Sequence, residues 1–413
     1  MNDTELYRLI LGLDAPWQIT DVELNIDEES VRVFVGCDPQ REAFACPECG
    51  APSRVYDHRE QRSWRHLDSC QFKTYLVCSL PRVSCSEHGV QTVDASWCEP
   101  KSRFTALYER FAIAVLLATG VQSRAATLLR LSAGQVHDLM DRAVVRGLAR
   151  RDSSETLRHL SLDEKSFQQG HHYITVLGDS QGKRVLDVAE GRTLEGTREL
   201  LTGVLSEEQR AQVESVSMDM WAGFMGAREQ VLPGADTVHD RFHVSGYLND
   251  AVDRTRRTEN REHTKQKDPV LNKTKYLWLK NEENLTDKQR ADIEGLRGLE
   301  LETAKVWAFK ENFRQFFACR TVYGAYTFFH QWYDAAVALG NVHLTKVADM
   351  LKNHLEGLLA YIRHRVTNAI AEGMNAQIQQ IKAQARGFRR FHSFRTAILF
   401  FLGKLDLNPQ ESP

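Results

Sequence analysis

Three carboxylates in this 413-residue chain occur where they could serve one chemical site. Asp163 lies near the end of the strand-like segment LRHLSLDEKSF, and Asp219 ends another, VESVSMDMW. Two carboxylates that lie close together repel each other unless a cation neutralises them, and hard oxygen ligands favour Mg²⁺ or Mn²⁺. Two such ions can activate an attacking oxygen and stabilise a leaving oxygen in phosphoryl transfer. Turn capping is the alternative role for each aspartate, and a third acid is needed; Glu372 in TNAIAEGMN is the candidate.

The elements around the aspartates predict how they could meet. Alternating apolar and polar residues predict three strands, in LRHLSLDEKSF, HHYITVLGDS and KRVLDVAEG, followed by a helix over Thr193–Leu205. A buried strand ending at Asp219, a helix from Ala222 and a strand in ADTVHDRFHV come next. This β-β-β-α-β-α-β order is that of the ribonuclease H fold, so we expect Asp163 and Asp219 on adjacent strands.

Seven of the eight cysteines fall between Cys37 and Cys98, and their spacing predicts a metal site. CPECG and CSEHG each place two ligand-type residues three positions apart before a glycine, on either side of strand-like segments at 62–67 and 71–79. This pattern is typical of a zinc ribbon with a closed tetrahedral structural site, whose ligands would be Cys46, Cys49, Cys85 and His88. The alternative is that these are buried cysteines that behave as small hydrophobes. That alternative suits Cys37, Cys70, Cys78 and Cys98 better, because they lack paired spacing.

Helical periodicity after the cysteine-rich region predicts a helix-turn-helix. A helix over Phe104–Thr119 ends at Gly120, a short helical segment covers Ser123–Arg130, and a longer helix covers Gln135–Leu148. Ser132 is a plausible N-cap for the longer helix, which would direct Gln135 and Arg142 towards a major groove. Helix pairs with short turns also occur in many proteins that do not bind DNA.

Composition indicates a globular protein, with 42% hydrophobic and 26% charged residues and a net charge of −2. The N-terminus lacks the layout of a signal peptide, and no apolar run approaches the roughly 20 residues of a membrane helix. We therefore expect a soluble cytoplasmic protein. Basic residues concentrate in two places: arginines across 103–158, and Lys382 to Arg395 interleaved with phenylalanines. Such clusters suit contacts with nucleic acid, although solvated helix faces explain either cluster alone.

Taken together, these motifs resemble the bacterial insertion-sequence transposases of the DDE class, specifically the ISL-three type. The resemblance runs along nearly the whole chain, through CPECG, RSWRHLD, LSLDEKSF, SMDMW, DRFH, YLWLKNEENL and TNAIAEGMNAQI followed by ARGFRRFHSF. It implies that Asp163, Asp219 and Glu372 are the catalytic acids and hold two Mg²⁺ or Mn²⁺ ions. It also implies a helical insertion between the second aspartate and the glutamate. One departure is Lys382-Ala383, where a basic pair is expected.

The resemblance suggests roles for several further side chains. Asp240 and His243 match a D-x2-H element and could position a phosphate or the second acid, or could only cap and pack. Trp278 could stack on a displaced base, although a core tryptophan is the alternative. Gly373 would let its helix approach the sheet or a DNA backbone. The predicted DNA-contacting residues are Arg124, Gln135, Arg142, Asp240, His243, Trp278, Asn368, Asn375, Arg386, Arg389 and Arg390.

The sequence thus predicts an α+β multidomain protein: a zinc ribbon, a helix-turn-helix domain and a ribonuclease H-like α/β catalytic domain interrupted by an α-helical insertion. The expected boundaries are 1–100, 101–153, 154–248, 249–361 and 362–413. The expected activity is Mg²⁺-dependent cleavage of double-stranded DNA at terminal inverted repeats, followed by transfer to target DNA. Because two DNA ends must be handled together, we expect a homodimer or higher oligomer, associated with the nucleoid and not with membrane. The alternatives are a DNA-binding regulator without catalysis and a nuclease of the same fold that cuts without joining.

Overall fold

The computed structural model describes residues 3–13, 15–38, 41–168, 172–239, 241–268, 270–365 and 369–410. The chain divides into two compact units, Met1–Arg151 with Leu405–Pro413, and Asp152–Lys404. The first unit is rich in strands, and the second combines one sheet with many helices. Within the described ranges, no helix is long and apolar enough to cross a membrane. The five domain ranges set from the sequence stay predictions.

The first unit begins with a helix and two four-stranded sheets. Helix α1 is Asp3–Leu11, and the strands are β1 Trp17–Asn25, β2 Ser30–Cys37, β3 Ala43–Ala45, β4 Pro52–His58, β5 Arg62–Arg65, β6 Lys73–Cys78, β7 Pro81–Cys85 and β8 Gly89–Thr92. One sheet has the order β1-β2-β6-β5, and the other has the order β3-β4-β7-β8. The second sheet carries the cysteine knuckles, because Cys46 follows β3, Cys85 ends β7 and His88 precedes β8.

The two strands expected inside the ribbon belong to the other sheet. Strands β5 and β6 form close to the predicted positions, but β6 pairs with β2 in parallel, outside the sheet that carries the knuckles. Their inward side chains explain this pairing. Trp64 and Leu76 are each 1% exposed and share one apolar core with Val33 and Val35 of β2. Burying that surface favours pairing of β6 with β2 over pairing within the sheet that carries the knuckles.

Three helices follow at the positions expected for the helix-turn-helix: α2 Ala106–Thr119, α3 Gln122–Leu129 and α4 Ala133–Ala149. Local chemistry fixes their ends. Gly120 ends α2 in the left-handed region, at φ 62°. Ser132 caps α4 through a capping box, since its hydroxyl accepts from the Gln135 N–H while the Gln135 side chain accepts from the Ser132 N–H.

The second unit is organised around one five-stranded sheet. Its elements are β9 His159–Gln168, β10 His172–Asp179, β11 Arg184–Glu190, α5 Leu194–Val204, α6 Glu207–Gln212, β12 Ser215–Met218, α7 Ala222–Val231 and β13 Asp236–His239. The strand order is β11-β10-β9-β12-β13; β9, β10 and β11 pair antiparallel, whereas β12 lies parallel to both β9 and β13. The strands and helices predicted from the sequence all occur, with α6 in addition. Leu162, Leu177 and Val216 are at most 1% exposed at the centre of the core.

Helices fill the rest of this unit. They are α8 Arg241–Lys265, α9 Lys275–Leu279, α10 Asp287–Arg297, α11 Glu302–Ala318, α12 Val322–Ala338, α13 Val342–Asn353, α14 Leu355–His364, α15 Ala369–Gln384 and α16 Phe391–Leu402. Residues of α8 to α14 share one aromatic-rich core around Phe313 and Trp332, whose rings are 4.6 Å apart. The boundary placed at residue 249 from the sequence falls inside the continuous helix α8.

Candidate active site and zinc centre

Asp163 lies in the middle of β9, five residues before the strand ends at Gln168. Asp163 was expected near the end of its strand. This is true of the pairing with β12, which ends before Asp163, but not of the pairing with β10, which continues past it. Strand β10 continues to pair past this point, and Val176 lies opposite Asp163. Pairing with β12 ends at Ser161. Asp163 is therefore the second residue beyond the parallel ladder, on a strand that the antiparallel hairpin keeps rigid.

Asp219 immediately follows β12 and comes level with Asp163. The parallel register pairs Ser215 with His159 and Ser217 with Ser161, so two further residues along both strands bring Asp219 beside Asp163. Neighbouring strands lie about 4.8 Å apart, and residues in register point to the same face. The register, continued by two residues, therefore brings Asp219 level with Asp163, and the meeting of the two carboxylates in one site stays a prediction.

Each aspartate accepts a hydrogen bond from a helix that is distant in sequence, and Asp163 also has a charged neighbour on its own strand. The Asn375 side-chain amide of α15 donates a hydrogen bond to Oδ2 of Asp163, and the Lys165 ammonium lies 3.3 Å from the same oxygen. The Tyr247 hydroxyl of α8 donates to Oδ1 of Asp219 at 3.0 Å. The Asp163 side chain is 13% exposed and that of Asp219 is 28% exposed. Both carboxylates are thus oriented, and both remain accessible.

His243 faces the second aspartate, as one of its expected roles requires. Its Nδ1 lies 3.9 Å from Oδ2 of Asp219, a distance that suits an ion pair when the ring is protonated but is too long for a hydrogen bond. His243 and Tyr247 are four residues apart on α8 and therefore share one helix face. Burial, followed by the charge of Asp219, raises the pKa of Tyr247 to about 12, so its hydroxyl stays a donor at neutral pH.

Glu372 lies on the exposed side of α15, three residues before Asn375. Residues three apart share a helix face, so the Asn375 bond to β9 brings the Glu372 face towards the aspartates. The close approach of helix and sheet does not depend on Gly373, where a Cβ would meet open space. It depends on Gly178 of β10, where a Cβ would lie 2.5 Å from Ser161 Oγ and 2.9 Å from Met374 Cε.

Among the described residues, there are two groups of three or more His, Cys, Asp or Glu whose ligand atoms all lie within 4.8 Å of one another. One is the ribbon set Cys46, Cys49, Cys85 and His88, and the other is His159, Glu214 and His364. Asp163, Asp219 and Glu372 do not form such a group. That the three acids hold metal ions together stays a prediction.

The ribbon ligands have the spacing that one tetrahedral zinc requires. Sulfurs bound at about 2.3 Å to one zinc lie about 3.8 Å apart, and a sulfur and an imidazole nitrogen lie about 3.6 Å apart. The Sγ atoms of Cys49 and Cys85 are 3.7 Å apart, and Nδ1 of His88 is 3.7 Å from Cys85 Sγ and 4.0 Å from Cys46 Sγ. The backbone N–H groups of Glu87 and His88 lower the pKa of Cys85 to about 6, which favours the thiolate that zinc binds. The set fits a structural zinc.

The remaining cysteines between Cys37 and Cys98 do not join this cluster, and all are free thiols. Burial raises the pKa of Cys78 and of Cys98 to about 12, so both stay protonated. The small-hydrophobe interpretation therefore agrees with the surroundings of Cys78 and Cys98, whereas Cys70 is exposed and Cys37 is half-buried.

The predicted DNA-contacting residues of the first unit differ in exposure. Arg124 on α3 and Gln135 on α4 are exposed, although the Gln135 side chain is engaged in the capping box. Arg142 donates to the buried Glu109 at 2.6 Å and stacks over Phe104 at 5.7 Å. Arg142 is thus tied to the interior of its own unit, which the helical pattern alone does not reveal.

In the second unit, Asp240 and Asn368 lie outside the described residues. Trp278 is 0% exposed, in the core of the helical region and 6.3 Å from Trp307 in an edge-to-face contact. Stacking on a base would require that core to open, so the packing favours the alternative of a core tryptophan. Arg386, Arg389 and Arg390 are exposed. Of the phenylalanines interleaved with the basic residues, Phe394 is 0% exposed and stacks on Phe167 at 5.6 Å, while Phe388 and Phe391 are half-buried.

Sequence reasoning missed two partners of the acids, Lys165 and Tyr247. Lys165 is two residues after Asp163, and alternation along a strand puts both side chains on the same face, so the signal was present. Tyr247 follows His243 by one helical turn, but only the path of α8 shows that it reaches Asp219.

Comparison with known proteins gives the same interpretation for most of the chain. The family model of ISL3 transposases, described as "Transposase", matches residues 160–398, and that of the "zinc-finger of transposase IS204/IS1001/IS1096/IS1165" matches residues 42–88. The chain is 26% identical over 356 residues to the transposase for insertion sequence element IS1001 of Bordetella parapertussis, covering 85% of this chain and 87% of that protein. It is 25% identical over 420 residues to the transposase for insertion sequence element IS1557 of Mycobacterium tuberculosis, covering 94% and 93%. Since the first family model spans more than half of the chain, this protein belongs to the ISL3 family of insertion-sequence transposases.

Proposed function

We propose that this transposase binds the terminal inverted repeats of its insertion sequence and performs Mg²⁺-dependent end cleavage and strand transfer at Asp163, Asp219 and Glu372. The observation that carries the proposal is the register of β9 and β12, in which Ser161 pairs with Ser217, two residues before Asp163 and Asp219 respectively. Three antiparallel strands joined to two parallel ones support a ribonuclease H-like catalytic domain around that pair.

The neighbouring side chains support a catalytic role over simple turn capping. One oxygen of each aspartate accepts a hydrogen bond from the next residue's backbone N–H, as in simple turn capping: Glu164 N–H for Asp163 and Met220 N–H for Asp219. Their second oxygens are engaged by groups distant in sequence, from α15 and α8. Partners of this kind fix the orientation of a ligand carboxylate.

The donor set fits Mg²⁺ or Mn²⁺, since carboxylate oxygens are the ligands these ions prefer. Asp163, Asp219 and Glu372 would hold the ions, which supply charge stabilisation for the attacking and leaving oxygens of a phosphodiester. Asn375 and Tyr247 would keep the aspartates oriented, while the Lys165 ammonium would offset their mutual repulsion. Glu372 is exposed on α15, and we expect it to close on the aspartates when DNA and ions bind.

Two successive displacements at this site account for transposition. Water attacks the phosphodiester at the element end, the P–O3′ bond breaks, and the element keeps a free 3′-hydroxyl. That hydroxyl then attacks a phosphodiester of the target, forming one P–O bond and breaking another. Holding the attacking group and the phosphodiester in a fixed orientation would supply much of the rate acceleration.

Recognition of the DNA ends falls to the basic surfaces. The ribbon and the α3–α4 pair would form the sequence-reading part, with α3 and α4 as a helix-turn-helix and exposed Arg124 and Gln135 on it. In the second unit, exposed Arg386, Arg389 and Arg390 precede α16 and suit phosphate contacts. Their neutralisation of phosphates makes binding strongly salt-dependent.

The test measures cleavage and joining separately. Purified protein is incubated with labelled terminal repeats, a plasmid target and Mg²⁺, and the products are resolved on gels. We expect Asp163→Asn, Asp219→Asn and Glu372→Gln each to lower both steps about a thousandfold, a loss of about 4 kcal/mol of transition-state stabilisation. DNA binding should be unchanged.

The matched control is Asp292→Asn, which alters an exposed acid on α10 and should retain full activity. Full strand transfer by Asp163→Asn would refute the catalytic assignment. Nicks without joined products from the wild-type protein would indicate a nuclease, and repeat binding without either product would indicate a regulator.

A further inference from the structure

A second cluster of metal-ligand side chains lies away from the acids, within the same unit. His159 begins β9, Glu214 directly precedes β12, and His364 ends α14. One ligand atom from each lies within 4.8 Å of the others. Asp163 is four residues further along β9 than His159, a distance of about 13 Å along the strand. The cluster is therefore at the opposite end of the parallel ladder from the proposed catalytic acids.

The first two side chains are oriented so that one atom of each faces the other. Nδ1 of His159 makes a hydrogen bond of 2.9 Å with Ser215 Oγ, which leaves Nε2 as the nitrogen that points to Glu214. Arg158 holds Oε1 of Glu214 at 2.7 Å, and the other oxygen, Oε2, lies 4.0 Å from Nε2 of His159. This separation is too long for a hydrogen bond, yet it is only some tenths of an ångström longer than the roughly 3.4 Å between two ligands of one tetrahedral zinc.

The third side chain has the outer partner that metal-binding histidines usually have. Nε2 of His364 lies 2.7 Å from Oδ2 of Asp236, the first residue of β13. Metal-ligating histidines commonly donate their second ring N–H to a carboxylate, which fixes the tautomer and makes the first nitrogen a better ligand. The same oxygen of Asp236 also accepts from Arg363 at 2.6 Å. With Nε2 of His364 donating to Asp236, Nδ1 would be the nitrogen left for a metal. The His364 side chain is 14% exposed, so its ring is largely fixed by packing.

We propose that His159, Glu214 and His364 form a second metal site of this protein, selective for a borderline divalent cation such as Zn²⁺. Two imidazoles and one carboxylate are a zinc ligand set, with solvent in the fourth position. Imidazole ligands disfavour Mg²⁺, so this site and the carboxylate site select different ions. The ion would bind the last residue of α14 to the starts of β9 and β12, and so fix the end of the helix that precedes α15 in the chain.

The experiment counts zinc in the full-length protein. Protein equilibrated with a small excess of Zn²⁺ and then gel-filtered is analysed for metal by mass spectrometry. We expect two zinc ions per chain in the wild type, one in the ribbon and one in this cluster, and one per chain in His159→Ala and in His364→Ala. The matched control is His263→Ala, which removes a histidine that also pairs with an acid, Asp268, and should keep two. One zinc per chain in the wild type, or two in either cluster variant, would overturn the proposal.

A second measurement needs no variant and remains valid if those proteins fail to fold. Wild-type protein is treated with diethylpyrocarbonate with and without Zn²⁺, and modification of each histidine is read from peptide masses. We expect Zn²⁺ to lower the modification of His159 and His364 at least fivefold while His263 changes less than twofold. Equal modification of His159 and His364 with and without Zn²⁺ would overturn the proposal.

Discussion

The ribbon cluster and the acid site are assembled to different degrees. The four ribbon ligands already have the spacing of a tetrahedral zinc site, on two knuckles that one small sheet holds in place. In the proposed acid site, the register of β9 and β12 brings Asp163 and Asp219 level, and Glu372 is exposed on α15. The ribbon ligands would close their site by themselves, whereas the acid site is proposed to leave positions for DNA.

Physical chemistry accounts for this difference. Thiols and neutral imidazole carry no charge, and backbone N–H groups stabilise the thiolate of Cys85, so these ligands can pack closely. Carboxylates at neutral pH are charged, and three of them repel one another unless cations neutralise them. A structural zinc stabilises the fold itself, whereas catalytic ions are shared with substrate phosphates. A change in the ribbon should therefore affect stability first, and a change near the acids should affect chemistry first.

The largest expected effect is loss of the ribbon zinc. Cys46→Ser removes a buried ligand, and structural zinc contributes on the order of 10 kcal/mol to the folding of small metal-binding modules. We expect the variant to lose this zinc, to expose the β3-β4-β7-β8 sheet to protease and to stop binding terminal-repeat DNA. Zinc content and limited proteolysis check this. Cys70→Ser, which alters an exposed free cysteine, is the matched control. A protease-resistant, DNA-binding Cys46→Ser protein would contradict a structural role for the zinc.

A smaller effect is expected from the side chains that orient the aspartates. Asn375→Ala and Tyr247→Phe each remove one hydrogen bond to a proposed ligand, which typically costs 10- to 100-fold in metal affinity or activity. Strand-transfer rates as a function of Mg²⁺ concentration should show higher Mg²⁺ requirements with unchanged DNA binding. Tyr333→Phe, which removes a tyrosine bond to Asp349 elsewhere in the unit, is the control. An unchanged Mg²⁺ requirement in both variants would show that the aspartates are positioned without these partners.

Alanine substitutions at two glycines, one under α15 and one within it, are expected to change stability in opposite directions. In Gly178→Ala the added methyl meets Ser161 and Met374, and overpacking of this kind costs about 1–3 kcal/mol. In Gly373→Ala the methyl enters open space, and alanine stabilises a helix by up to about 1 kcal/mol relative to glycine. Denaturant unfolding measures both changes. If Gly373→Ala were the more destabilising of the two, the assigned packing of α15 on the sheet would be wrong.

The smallest effect is expected at Trp278. The indole is buried, and its Nε1 has no hydrogen-bond partner among the residues that the structure describes. Trp278→Phe should therefore cost only about 1 kcal/mol of stability and leave strand transfer unaltered. Unfolding and strand-transfer measurements on one preparation test this. A large loss of activity at unchanged stability would instead favour a base-stacking role.

Local signals in the sequence predicted the secondary structure well. Gly120, Ser132 and the strand ending before Asp219 act through their immediate neighbours, so spacing and residue type were sufficient. The CPECG and CSEHG knuckles likewise contain all four ribbon ligands at short spacing. Each prediction rests on interactions that span a few residues.

What the sequence did not reveal depends on contacts between distant segments. The partner sheet of β5 and β6, the bond from Tyr247 to Asp219 and the role of Gly178 under Met374 arise from packing. The cluster of His159, Glu214 and His364 is invisible in the sequence because 150 residues of chain separate its last two members. Glu372 was identified by its motif, and its closure on the aspartates stays a prediction.

The most direct test of the central claim is a structure of the protein bound to its terminal-repeat DNA in Mn²⁺, with the ions located by anomalous scattering. We expect two Mn²⁺ peaks about 3.5–4 Å apart, bound by carboxylate oxygens of Asp163, Asp219 and Glu372 next to the phosphate at the element end. Anomalous peaks elsewhere, or a Glu372 carboxylate that binds neither ion while DNA occupies the site, would contradict the account.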